Sequence, residues 1–67
     1  MKFGERLREL RVAKNLSQMQ LANILQISQS AIAKWELGKT EPTASAIILI
    51  AKYFGESTDY MLGVIDL

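Results

Sequence analysis

Apolar residues recur along this chain at spacings of three and four, the rhythm of one helix face. Phe3, Leu7 and Leu10 form the first stripe, and Asn15 stands where a left-handed residue can end that helix. Ser17 is a good N-cap for a second helix, with Leu21, Ala22 and Leu25 inward. Ser28 caps a third, which turns Ile32 and Trp35 inward and closes at Gly38. The stretch "KTEPT" reads as a loop, because Pro42 cannot sit inside a helix, and Thr43 caps the next one. That fourth helix carries Ile47, Ile50, Ala51 and Phe54 inward and stops at Gly55. Ser57 caps a last short helix, "TDYML", closed by Gly63, and Asp59 in its first turn suits the positive end of the helix dipole. No segment alternates with period two for long enough to be a strand, and no linker divides the chain. The pattern predicts an all-α fold of five short helices forming one domain over residues 1–67, with an apolar tail at 63–67.

Two charges sit awkwardly on this pattern. Arg11 lies four residues beyond Leu7, on the buried stripe of the first helix, and Glu36 lies four beyond Ile32 on the third. A buried unpaired charge is costly, so the two are expected to pair and join those helices. The outer side of the third helix is odd in another way. Gln29, Ser30, Ala33 and Lys34 leave it small and polar, a face with no packing reason to exist.

Composition narrows the function. The chain has 67 residues, 49% hydrophobic and 22% charged, which is globular rather than disordered. It has no cysteine and no histidine, so disulfides, thiolate zinc sites and the usual general base near neutral pH are missing, and no metal or cofactor is expected. The carboxylates Glu5, Glu9, Glu36, Glu41 and Asp59 are dispersed over helix faces and caps, with no nucleophile–base pair and no phosphate-cradling glycine loop. An enzyme is not expected. The longest apolar run, "AIILIA" at 46–51, is too short to span a bilayer, and "MKFGERLREL" is too charged for a secretory signal, so a soluble cytoplasmic protein is expected. The net charge of +1 hides a gradient. All eight Lys and Arg lie within residues 1–52 against four acids there, whereas 53–67 hold three acids and no base. Such asymmetry can turn one end of a domain toward a polyanion.

Two short helices joined by a tight turn make the helix-turn-helix arrangement, here at about 17–37. Leu21, Leu25, Ile27, Ile32 and Trp35 are its apolar anchors, and Ala22 is the small residue where its two helices cross. The stretch "LSQMQLANILQISQSAIAKWELGKTEP", followed by "IAKYFGESTDYMLG", resembles the lambda-repressor-like family of Cro, phage repressors and xenobiotic-response-element proteins, over residues 3 to 63. The resemblance implies a compact five-helix bundle and a phage or bacterial transcription regulator, a repressor that binds a palindromic operator in double-stranded DNA as a homodimer. The recognition helix, about 28–37, would lie in the major groove.

The same resemblance assigns roles residue by residue. Gln29 and Ser30 fall where the family reads base edges, and a glutamine can pair bidentately with adenine N6 and N7. Lys34, one turn later, can reach guanine O6 and N7 or a phosphate. Ala33 allows close approach, and its methyl can touch a thymine methyl. Gln18 matches the family's phosphate contact at the start of the second helix, and Ser28, Lys39 and Thr40 would add further phosphate contacts. Plainer readings stand beside these. Ser17 and Ser28 would cap helices whether or not DNA existed, Lys39 is an ordinary loop lysine, and Trp35 belongs to the core.

Some positions depart from the family pattern. Gln26 occupies the turn where glycine is usual; a left-handed Gln26 costs on the order of 1 kcal/mol. Leu49 stands where similar sequences often carry a charge, and Glu56 where many have valine. Leu49 with Ile48, Tyr60, Val64, Ile65 and Leu67 leaves much apolar surface, read as a candidate dimer contact that would set two recognition helices about 34 Å apart. The alternative is that the tail folds back over the bundle. A rival function also stands: an interaction module, such as an antitoxin or coactivator adaptor, whose apolar edge binds a second regulatory protein.

Overall fold

The computed structural model describes residues 2–66; Leu67 of the candidate dimer contact lies outside them. Its elements are α1 (Phe3–Ala13), α2 (Gln18–Leu25), α3 (Gln29–Leu37), α4 (Ala44–Phe54) and α5 (Thr58–Leu62). The chain is all-α, as expected, with no strand among the described residues.

Local chemistry explains where each element begins and ends. Ser17, Ser28, Thr43 and Ser57 hold extended backbone and accept a hydrogen bond from the third residue of the helix that follows. At Ser17 the arrangement is reciprocal: the Gln20 side chain accepts the Ser17 N–H at 2.8 Å. Each helix stops where the backbone turns left-handed. Gly38, Gly55 and Gly63 do so without a Cβ to clash, while Asn15 (φ 59°) and Gln26 (φ 56°) do so with one.

Phe3, Leu7, Leu21, Ala22, Ile32, Ile50, Ala51 and Met61 make the core, so every helix contributes to it. Leu10, Leu25, Trp35, Ile47 and Phe54 surround it half-buried, a step further out than their spacing suggested, because five short helices leave room for few central positions. The third helix packs against both α1 and α2, α4 packs against α5, and α5 returns to α1. Thus α1 joins the helix-turn-helix half to the carboxyl-terminal half.

Two contacts make that junction. A methyl group on Gly4 would lie 2.1 Å from the Trp35 carbonyl oxygen, so α1 approaches the end of α3 as closely as backbone allows. Beside it, the Phe3 and Trp35 rings meet edge to face, 6.0 Å between centroids. On the other side Arg6, only 8% exposed, reaches the carboxyl terminus. Its guanidinium donates to the carbonyls of Tyr60 and Ile65 and to Asp66 Oδ1 at 3.0 Å, and lies 4.3 Å above the Tyr60 ring. The tail is therefore tied down by its backbone, yet the Val64 side chain is 69% exposed and Ile65 also faces outward.

Candidate nucleic-acid interface

The site is built on α2 and α3, and its rigidity comes from a charge. Arg11 donates from Nε to Glu36 Oε2 at 2.8 Å and from a terminal nitrogen to Oε1 at 2.9 Å. Both side chains are withdrawn from water, 12% and 5% exposed, where a bidentate pair is strong. A third donation, to the Leu16 carbonyl at 2.8 Å, fastens the strand of chain that enters α2. One guanidinium thus ties α1, the start of α2 and the last turn of α3. The hydrogen bond to Glu36 holds the Arg11 pKa above its ordinary value, so Arg11 is charged at every pH the protein meets.

From Glu36 the network continues outward. Gln18 Nε2 donates to Glu36 Oε1 at 3.1 Å, and Gln29 Nε2 donates to Gln18 Oε1 at 2.8 Å. The two glutamines occupy the first positions of α2 and α3, each just after its capping serine. Sequence reasoning treated them as separate contacts and missed this link. Ser-Gln stands at both 17–18 and 28–29, and that repeat was the available signal, since packing two helix starts together brings their first side chains within reach.

The other candidate residues sort by exposure. Ser30 and Lys34, four apart, form the row of α3 fully open to solvent. Gln29 and Ala33 form the neighbouring row, half-buried against the bundle. Ser28 is exposed, and its side chain caps α3 by accepting the Ala31 N–H at 3.0 Å. Lys39 and Thr40 lie exposed in the loop after α3. Thr40 also lines a cleft of about 520 Å³ that it shares with Lys2, Glu5, Glu36 and Glu41. Leu37, 70% exposed at the end of α3, continues the outward row three residues after Lys34 and was missed from sequence. In the turn, Gln26 does adopt the left-handed conformation, φ 56° and ψ 44°.

The candidate dimer residues divide as well. Ile48, Leu49, Val64 and Ile65 are exposed, whereas Tyr60 is half-buried beneath Arg6 and has less of its ring free. No group of acidic side chains among the described residues could hold a metal ion, and no helix is long and apolar enough to cross a membrane.

Comparison with known proteins places this geometry. A helix-turn-helix family model matches residues 7–61. The chain is 45% identical over 62 residues to the transcriptional activator BcrR of Enterococcus faecalis, covering 92% of this chain and 30% of that protein. It is 34% identical over 60 residues to repressor protein C2 of Salmonella phage P22, covering 90% of this chain and 28% of that one. Among solved structures it is similar to the restriction-modification controller protein C.AhdI from Aeromonas hydrophila, with TM-score 0.78, 35% identity, and coverage of 90% and 91% of the two chains. Against BcrR and C2 it spans less than a third of their length. With α2 and α3 clamped together and the family model running through both, the chain belongs to the Cro and phage-repressor type of helix-turn-helix proteins, a DNA-binding family of transcription regulators.

Proposed function

We propose that this domain binds a palindromic operator as a homodimer and represses transcription by occupying it, with α3 in the major groove. The observation that carries this reading is the outward face of α3. It holds Ser30 and Lys34 open to solvent beside Gln29, on a helix whose opposite side is fixed by Ile32, Trp35 and the Arg11–Glu36 pair. Gln29 and Ser30 read base edges, Lys34 reads guanine or a phosphate, and Ala33 lies against a thymine methyl. Gln18, Ser28, Lys39 and Thr40 contact the phosphate backbone and set the register. Ile48, Leu49, Val64 and Ile65 supply the contact between two copies, with Tyr60 at its margin.

Selection of bound sites from random duplexes tests this. The expected product is a palindrome, and binding to it should weaken steeply with salt as condensed cations are released. On that site Lys34→Ala should relax the preference at one base pair, while Lys39→Ala, which touches only phosphate, should weaken all sequences alike. Equal losses on every sequence for both variants would refute the division of roles. Failure to select any site, together with salt-insensitive retention on heparin, would favour the interaction-module reading.

A further inference from the structure

We propose that the Arg11–Glu36 pair decides which atoms of the Gln29 amide face the DNA, and so sets a preference for adenine over guanine at one base pair of each half-site. This rests on the reading of α3 as the helix that enters the major groove.

Arg11 can only donate, and an ionised carboxylate can only accept. Glu36, bound bidentately by Arg11 and 5% exposed, is therefore a pure acceptor toward anything else that meets it. Gln18 must then turn its NH₂ to Glu36, as it does at 3.1 Å, since its carbonyl oxygen there would face another oxygen. With its nitrogen turned to Glu36, Gln18 has its oxygen on the Gln29 side, and Gln29 presents its own NH₂ to that oxygen at 2.8 Å. One N–H of Gln29 is consumed. What remains is one acceptor, Oε1, beside one donor.

Adenine offers an N6–H donor next to the N7 acceptor, the complement of that remainder. Guanine offers two acceptors, N7 and O6, and sets an oxygen against Gln29 Oε1. A reversed amide, with both N–H groups outward, would suit guanine instead. Reversal needs every link to turn over, and Glu36 forbids it because a carboxylate has no proton to donate. Arg11 and Glu36 are thus positioning residues for base choice, acting through Gln18 without touching DNA.

Glu36→Gln is the decisive variant. An amide here can keep its oxygen on Arg11 Nε and set its nitrogen where Oε1 was, donating to Gln18 at the loss of one Arg11 hydrogen bond, which allows the whole relay to reverse. The assay measures binding of the full chain to the site selected by wild type, and to duplexes with A·T exchanged for G·C at each position. For wild type we expect A over G at one position per half-site by on the order of tenfold. In Glu36→Gln that ratio should fall to near one or invert, with the ratios at other positions unchanged. A merely structural role would lower affinity for all duplexes together and leave the ratio intact.

If Glu36→Gln fails to fold by circular dichroism, Gln18→Met decides. It cuts the relay while keeping the ion pair, and should collapse the same ratio while leaving the ratios at other positions unchanged; an intact ratio would overturn the proposal. Gln29→Ala separates the two levels. If it leaves every base ratio unchanged, Gln29 does not read DNA and the functional reading of that residue falls. If it abolishes the ratio while Glu36→Gln preserves it, the relay proposal alone is overturned.

Discussion

Replacing Gly4 by alanine should destabilise this domain, although the same change in an exposed helix stabilises. Gly4 lies in the first turn of α1, where alanine's helix propensity would contribute about 1 kcal/mol. The added methyl, however, would stand 2.1 Å from the Trp35 carbonyl oxygen, 3.0 Å from its carbon and 3.2 Å from Glu36 Cα. These are backbone atoms of α3 and cannot rotate away, so α1 and α3 must part by roughly 1 Å to reach ordinary contact. That movement loosens the Phe3–Trp35 pair and strains the Arg11–Glu36 bridge a little farther along. Overpacking of this kind costs about 1–3 kcal/mol, and here the upper end applies because the obstacle is main chain. After subtracting the propensity gain, the net loss is about 2 kcal/mol. For a chain of this size total stability is roughly 3–10 kcal/mol, so the midpoint should drop by on the order of 10 °C. Urea and thermal denaturation followed by circular dichroism measure it. Stability equal to or above wild type would show that the helices are not in backbone contact at Gly4.

Gln26→Gly should add about 0.5–1 kcal/mol by relieving the left-handed strain at φ 56°, less the entropy of an added glycine, with DNA affinity unchanged; a loss of stability in urea would mean the turn is not strained. Arg6→Met should cost about 1–3 kcal/mol by taking the donor from the Ile65 carbonyl and leaving the Tyr60 carbonyl only the Gly63 N–H. The same variant should raise the dimer dissociation constant in sedimentation equilibrium, and an unchanged constant would take the tail out of the contact. Arg11→Met should cost about 3 kcal/mol or more, because it leaves Glu36 nearly buried and unpaired. The Arg11 pKa is raised, so its stabilisation is complete below the ordinary arginine value and is lost only as pH climbs through the higher folded one. The difference from wild type should therefore stay constant from neutral pH to about 9 in parallel denaturation series.

What could be read beforehand was local. A capping serine and the N–H it accepts lie three residues apart, so Ser17, Ser28, Thr43 and Ser57 announce helix starts without any tertiary knowledge. The same holds for glycines that end helices. Arg11 and Glu36 were legible because each breaks an apolar stripe, and a charge on such a stripe demands a partner. Gly4 was not, since its reason is the Trp35 backbone on another helix, and nothing near Gly4 announces that approach. Arg6 was hidden likewise. It falls beside Leu7 and looks like a solvated charge, while its acceptors lie at the far end of the chain. The glutamine relay stayed out of sight because family likeness assigns each residue a role toward DNA, and says nothing of bonds between them.

The two rows of α3 are under different constraints. Ser30 and Lys34 stand free in solvent, so their identities can drift without taxing the architecture, and new targets can be acquired there one substitution at a time. Gln29 is wired through Gln18 on α2 to Glu36 at the far end of its own helix, and so to Arg11 on α1, and an innovation at that site must bring its neighbours with it. Descendants of this sequence would be expected to wander freely at the first pair and to change the linked glutamines together or not at all.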